Sequence, residues 1–229
     1  MKISIIIPCF NEKNTISDII EKVKTENNYQ KEIIVIDDFS TDGTREILQE
    51  KIKNNIDRLI LNEKNFGKGY SVRQGIKVAS GDIILIQDAD LEYDPSDYPK
   101  LIEPINKGYA DVVYGSRFIG SNEKRVIFYW HSLGNFALTT LSNILSNINL
   151  TDMENCYKVF KSDIIKNIIL EENRFGFEPE VTIKLAKQKC IFYEVGISYR
   201  GRTYEEGKKI GLLDAFVAIY CIIRYSIFD

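Results

Sequence analysis

Five short β-branched runs constrain the fold of this chain more than any other feature: residues 3–7 (ISIII), 32–37 (EIIVID), 58–61 (RLIL), 82–87 (DIILIQ) and 111–115 (DVVYG). A strand with one wet face alternates polar and apolar residues, whereas near-continuous apolar runs suit strands buried on both faces. Helix-like segments between the runs supply the cover, so the pattern predicts an α/β fold with a mainly parallel central sheet clad by helices on both faces. Beyond about residue 120 the rhythm changes. Residues 129–148 carry a helical period with an apolar stripe, and 150–165 return toward extended structure before another helix. No linker or repeat divides the parts, and a hydrophobic content of 44% is enough for a sizeable core. The expectation is a single domain over 1–229, with halves meeting near residue 120.

Each of the first four runs ends in polar residues: PCFNE, DDFSTDGT, NEKNFGKG and DADLE. In open α/β sheets ligands bind beyond the carboxyl ends of the strands, so these loops predict a cleft along one sheet edge. Asp37 and Asp38 close the second run, where a carboxylate can accept hydrogen bonds from a ribose or base, while Ser40, Thr41 or Asp42 can cap the next helix. Asn65, Gly67 and Lys68 precede a helix. They read either as a plain turn or as a nucleotide-contacting loop with Lys68 near a phosphate, although the phosphate-loop pattern GxxxxGK[ST] is absent. The stretch QDADLE spaces Asp88, Asp90 and Glu92 on alternate positions, a repulsive arrangement unless a cation, a basic side chain or water compensates it. A magnesium-type ion, held by one or two carboxylates plus substrate phosphates, suits Asp88 and Asp90. A phospho-aspartate hydrolase or a receiver domain also uses strand-end carboxylates. The first would leave three elaborate earlier loops unexplained, and the second is about half this length.

Basic residues form a second group: Arg117, Lys124, Arg125, Arg200, Arg202, Lys208 and Lys209. Singly they read as solvated surface; as a set beside an acidic cleft they could clamp phosphates. The lone His131 reads as a packing residue. A net charge of −3 gives no reason to expect nucleic acid, and four scattered cysteines suggest neither a zinc site nor a disulfide framework. The amino terminus lacks a signal-peptide core. The apolar stretch 212–228 would be about 25 Å long as a helix, short of the roughly 30 Å hydrocarbon span. It reads as a packed or dimer helix, or as one lying in a membrane interface.

The segments IIIPCFNE, VIDDFSTDGT, NFGKG, ASGDIILIQDADLE, DVVYGSRF, LTDMENCYKVFK, FGFEPEVTIKLA and YRGRTYEEGKKI, in this order, resemble the inverting family 2 glycosyltransferases of the GT-A (Rossmann-like) fold. Among these the dolichyl- and polyprenyl-phosphate sugar synthases are most similar. The resemblance implies a nucleotide-sugar-binding half over 1–120 and an acceptor-binding half over 121–229. It implies that Pro8, Asn11 and Glu12 line the nucleotide site and that Asp38, supported by Asp37, contacts the nucleoside. Asp88 would face the sugar nucleotide, and Asp90 would ligate Mg²⁺ or Mn²⁺. Glu92 stands where relatives often carry Gln as a further ligand. Arg117 and Arg125 would approach the acceptor phosphate, and Arg202 with Lys209 would guard the diphosphate. A lipid phosphate needs no general base, whereas a hydroxyl acceptor would need one, with Asp152 or Glu180 as candidates. The implied enzyme is peripheral at the cytoplasmic membrane face, touching lipid through residues 126–130 and the terminal helix, with a homodimer as the other use of those residues. A non-catalytic nucleotide-binding module is the reading from another class.

Overall fold

The computed structural model describes residues 1–26, 28–120, 125–126, 128–203, 205 and 211–228. The chain runs β1 (Lys2–Cys9), α1 (Ile16–Thr25), β2 (Gln30–Asp37), α2 (Thr44–Glu46), β3 (Arg58–Leu61), α3 (Lys68–Val78), β4 (Ile83–Ile86), α4 (Tyr98–Asn106) and β5 (Val112–Ser116). There follow α5 (Tyr129–Ser146), β6 (Lys158–Lys161), α6 (Ser162–Lys166), α7 (Phe177–Lys187), β7 (Phe192–Gly196) and α8 (Leu212–Ile227). All five β-branched runs form strands.

The seven strands make one sheet in the order β3-β2-β1-β4-β6-β5-β7. β1 lies parallel between β2 and β4, with Ile5 opposite Ile33 on one side and Leu85 on the other. Since β2 and β3 extend one way from β1 and β4 the other, the chain reverses direction across the sheet at β1, where the strand ends leave a crevice. β6 is antiparallel to β4 and β5, while β5 and β7 are parallel. Consecutive residues Ile3 to Ile7 are all at most 1% exposed. Successive side chains point to opposite faces, so both faces of the sheet are covered there, as the unbroken apolar runs require. α3 packs on β1 and β2, and α4 on β5, β6 and β7.

The apolar stripe of α5 points outward. Its buried residues are Thr139 and Ser142, while Tyr129, Trp130, Leu133, Phe136 and Ile144 are exposed. Leu138 and Leu141 pack against the core, and the buried positions beside them are polar because they serve the chain beneath: Thr139 Oγ1 accepts a hydrogen bond from Met153 N at 3.1 Å. α8 packs against α5 and α7 through Ala218, Cys221, Ile222 and Tyr225, an i, i+3, i+4, i+7 face. Its other side exposes Leu213, Phe216, Tyr220 and Ile227. No described helix is long and apolar enough to cross a membrane.

Candidate active site

Three loops leave the crevice through left-handed backbone at non-glycine residues: Asn11 (φ 52°) after β1, Phe39 (φ 67°) after β2 and Leu91 (φ 62°) after β4. Such conformations cost about 1–3 kcal/mol each and persist where surrounding contacts fix them. Around Asn11 the contacts are visible. Its backbone N–H donates to Ser40 Oγ at 2.9 Å and its Oδ1 accepts from Thr41 N at 2.8 Å, tying the first two loops together.

The aspartate doublet is built into the scaffold. Asp38 accepts from Gly67 N at 2.7 Å, Phe66 N at 2.9 Å and Asn62 Nδ2 at 2.8 Å, so it holds the third loop in place. Asn65 reaches the Asp38 carbonyl at 3.3 Å. Asp37 pairs with Arg45 Nε at 2.7 Å. Its Oδ1 is buried without a hydrogen-bond partner. Gly43 stands at the cap of α2, and of Ser40, Thr41 and Asp42 it is Asp42 that reaches the helix start, accepting from Thr44 N at 3.0 Å. The glycines before α3 also have a packing reason. A Cβ on Gly67 would collide with the Asn173 carbonyl oxygen and one on Gly69 with that of Glu172, so they make room for the chain before α7.

The alternate carboxylates converge on an arginine. Arg202 Nη2 lies 2.6 Å from Asp90 Oδ2, its two terminal nitrogens are each 3.2 Å from Glu12, and Nε is 3.4 Å from Glu92. Glu92 also accepts from Arg202 N at 2.8 Å and from the Tyr199 hydroxyl at 2.9 Å. A strap over residues 199–202 is thus fastened to the loop after β4. Burial, reinforced by the charges of Asp88 and Glu92, pushes Asp90 up to about 7 against the opposing pull of Arg202. Asp88 turns instead to Lys68, 3.0 Å away, whose Nζ also lies 3.1 Å from Glu178. Burial opposes the Lys68 ammonium, but Asp88, Cys156 and Glu178 outweigh it and hold its pKa above the ordinary value.

On the strap's other side, Arg117 makes a two-pronged pair with Asp152, both contacts at 2.7 Å, and lies 5.2 Å from the Tyr199 ring. Arg125 donates from its backbone N to the Tyr199 carbonyl at 2.8 Å and from Nη1 to that of Gly201 at 2.9 Å. Both arginines therefore meet the same short segment as Arg202.

Two expected bases are otherwise occupied. Asp152 is fully buried and, besides the guanidinium, accepts from Arg117 N at 2.9 Å. Glu180, also fully buried, accepts from Glu171 N at 2.7 Å and Glu172 N at 2.8 Å and pairs with Lys184 at 3.0 Å. In FGFEPE it is Glu178 that reaches Lys68, the partner of Asp88; two residues apart on a helix, the carboxylates of Glu178 and Glu180 point about 200° apart. Pro8 sits in β1 opposite Ile36. Lys124, Lys208 and Lys209 lie outside the described residues.

No three acidic, histidine or cysteine side chains among the described residues form a complete metal cage. The donor set nevertheless suits a hard divalent ion, because Asp90, Glu92 and Glu12 already gather round one positive group, and magnesium-type ions take their remaining ligands from phosphates and water.

The family model for glycosyl transferase family 2 matches residues 4–169. The chain belongs to that family. A dolichol-phosphate mannosyltransferase of Pyrococcus furiosus is 30% identical over 92% of this chain. An undecaprenyl-phosphate 4-deoxy-4-formamido-L-arabinose transferase of Edwardsiella ictaluri is 24% identical over 96% of it. This family 2 chain spans 61% and 66% of those relatives' lengths. Glucosyl-3-phosphoglycerate synthase from Mycobacterium tuberculosis, solved with Mn²⁺, UDP and phosphoglyceric acid, superimposes with a TM-score of 0.76 at 19% identity, covering 100% of this chain and 79% of that one. The likeness shows the GT-A fold.

Proposed function

We propose that this chain transfers a sugar, with inversion, from a UDP- or GDP-sugar to a polyprenyl phosphate, using Mg²⁺ or Mn²⁺. The observation that supports the reading is the strap at residues 199–202, which meets both the carboxylates of Glu12, Asp90 and Glu92 and the arginines Arg117 and Arg125. Residues 1–120 supply the donor half, with Pro8, Asn11, Asp38 and Asn65 framing the nucleoside side and Lys68 next to Asp88. Residues 121–229, with Arg117 just before them, supply the acceptor half. The relatives named for dolichol- and undecaprenyl-phosphate support a lipid phosphate as acceptor.

Asp90 and Glu92 would hold the divalent ion, which would supply positive charge against the departing diphosphate. The side chains do the rest. Arg117 and Arg125 hold the acceptor phosphate, one of whose oxygens attacks the anomeric carbon from the face opposite the diphosphate. The new C–O bond forms as the bond to the diphosphate breaks, and the electron pair leaves with the diphosphate. A phosphate monoester, with a second pKa of about 6, is already anionic at neutral pH. It needs no base, in keeping with the engagement of Asp152 by Arg117 and of Glu180 by Lys184. Arg202 would pass from the carboxylates to the diphosphate, to which the resemblance also assigns Lys209.

The exposed apolar side of α5 and α8 would rest on the membrane that holds the acceptor. α5 starts shortly after Arg125 in the sequence and exposes Tyr129 and Trp130 in its first turn, and aromatic residues favour the interface. The test is product analysis with undecaprenyl phosphate and a panel of UDP- and GDP-sugars. Lipid-linked sugar from one donor is expected. Transfer only to a saccharide or protein hydroxyl, or nucleotide binding with no turnover, would overturn the reading.

A further inference from the structure

Three buried side-chain oxygens between Lys68 and the Arg117–Asp152 pair have no hydrogen-bond partner: Glu178 Oε2, Glu154 Oε1 and Asn155 Oδ1, whose residues are linked to that frame by the Glu178–Lys68 pair and by Asn155 Nδ2, 3.5 Å from Asp152 Oδ2. Glu178 is 3% exposed and Asn155 fully buried. An unsatisfied buried acceptor costs about 1–3 kcal/mol, so three in one neighbourhood call for a ligand that donates. They belong to one cluster. The other oxygen of Glu178 is on Lys68, which pairs with Asp88. Glu154 feels the charges of Glu178, Lys158, Arg117 and Asp152.

The turn carrying Glu154 and Asn155 is held from beneath. Lys158, fully buried, donates to the Met153 carbonyl at 2.8 Å and to that of Asn155, and sits 4.3 Å over the Tyr114 ring. The cluster therefore spans from Asp88, on the donor side, to the Arg117–Asp152 pair, on the acceptor side. A group that passes from donor to acceptor must occupy the space between them.

We propose that Glu154, Asn155 and Glu178 recognise the hydroxyl groups of the transferred sugar and restrict it to neutral, hydroxyl-rich sugars. The assignment rests on the glycosyl-transfer reading above. Charge selects the ligand class: Asp88 and Glu178 share the Lys68 ammonium, so the cluster already carries a counter-charge and has no need of an amine or metal ion. Burial, with Glu178 beside it, pushes Glu154 up to about 8, so at neutral pH it carries a proton. It can then both donate to and accept from a hydroxyl, as a sugar ring requires. An added carboxylate on the sugar would meet Glu178, and an added ammonium would compete with Lys68.

The test is calorimetric binding, with Mn²⁺ present, of UDP, GDP and their conjugates with glucose, mannose, galactose and glucuronic acid. In the natural protein a neutral hexose should tighten binding at least about tenfold over the bare nucleotide, and glucuronic acid should not. Glu154→Gln and Glu178→Gln should each remove most of that gain. Glu154→Gln, having no contact with Lys68, should change affinity for the bare nucleotide by less than about threefold, and it carries the test if Glu178→Gln fails to fold. Retention of the full hexose gain in Glu154→Gln, or a larger gain from glucuronic acid, overturns the assignment while bare-nucleotide binding leaves the transferase reading standing. Binding of no nucleotide at all overturns both.

Discussion

Replacing Arg202 with Met tests whether its guanidinium occupies the place of a divalent ion. The side chain contacts Asp90 at 2.6 Å, Glu12 at 3.2 Å and Glu92 at 3.4 Å, and only 18% of it is exposed. Unit charges about 4 Å apart interact by about 4 kcal/mol at an effective dielectric constant near 20. Desolvation and side-chain entropy offset part of this, so the arginine holds its place by roughly 2–3 kcal/mol against a competing cation. A metal ion entering without nucleotide must displace the guanidinium or share its carboxylates. Arg202→Met should therefore bind Mn²⁺ roughly 30- to 150-fold more tightly than the natural protein when no nucleotide is present. With UDP present the sign should reverse, because the displaced arginine is then needed against the diphosphate. Free Mn²⁺ measured by electron paramagnetic resonance during a titration, at fixed pH and ionic strength, reads both cases. Unchanged or weaker Mn²⁺ binding by the nucleotide-free variant would refute the competition. A matching melting temperature, checked in parallel, excludes a collapsed site as the cause.

Other perturbations read other parts of the structure. Although burial opposes its charge, Glu32 is held down to about 2 by hydrogen bonds from Ser4, Ser80 and Arg58. A depressed carboxylate stabilises the fold above its unfolded pKa near 4.5, and the contribution, on the order of 3 kcal/mol, fades as pH falls toward 2. Urea midpoints of Glu32→Gln should thus fall below those of the natural protein at pH 7 and converge with them near pH 2; a constant gap would contradict the assignment. Gly69→Ala places a Cβ against the Glu172 carbonyl and 3.0 Å from that of Arg174, backbone that cannot swing away. The expected loss is about 2 kcal/mol, roughly 4–8 °C in Tm by thermal scanning. On α8, Phe216 and Tyr220 are 69% and 61% exposed. Changing both to Ser should weaken sedimentation with anionic phospholipid vesicles by about 10-fold or more without lowering Tm, whereas a shift from dimer to monomer with unchanged sedimentation would assign the face to a second copy.

The strands were legible because burial on both faces leaves a local mark, an unbroken β-branched run, and the ends of all five runs fall close to the observed strand ends. The place of β6 was not. It inserts antiparallel between β4 and β5, a choice set by pairing between Lys158–Lys161 and strands at least forty residues earlier. Periodicity likewise announced the stripe on α5 but not its direction, since a period says that two faces differ and not which one meets protein. In the site, the alternate carboxylates of QDADLE raised the question of their counter-charge, which is Lys68 for Asp88 and, for Asp90 and Glu92, Arg202, more than a hundred residues later. The doublet at Asp37 and Asp38 pointed toward a ligand, yet its oxygens mostly serve backbone N–H groups and Arg45. A carboxylate beside a loop glycine has the same sequence signature whether it holds a nucleoside or the loop itself.

The strap joins what the sequence presents as separate motifs. Tyr199 gives its hydroxyl to Glu92 and its ring to Arg117, and Arg202, three residues on, holds Asp90 and Glu12. Arg125 grips the same backbone at Tyr199 and Gly201. Displacing Arg202 therefore cannot be a local event: it loosens the segment against which both acceptor arginines are placed. A donor that arrives with its metal ion would release the carboxylates from the strap and, through Tyr199, free the Arg117 environment to reorganise around an acceptor. The reverse also holds by linkage, since whatever pulls Arg117 from Tyr199 weakens the hold on Glu92. A single short segment, fastened by charge at one end and by an aromatic ring at the other, would thus couple the proposed donor and acceptor sites without any helix having to move.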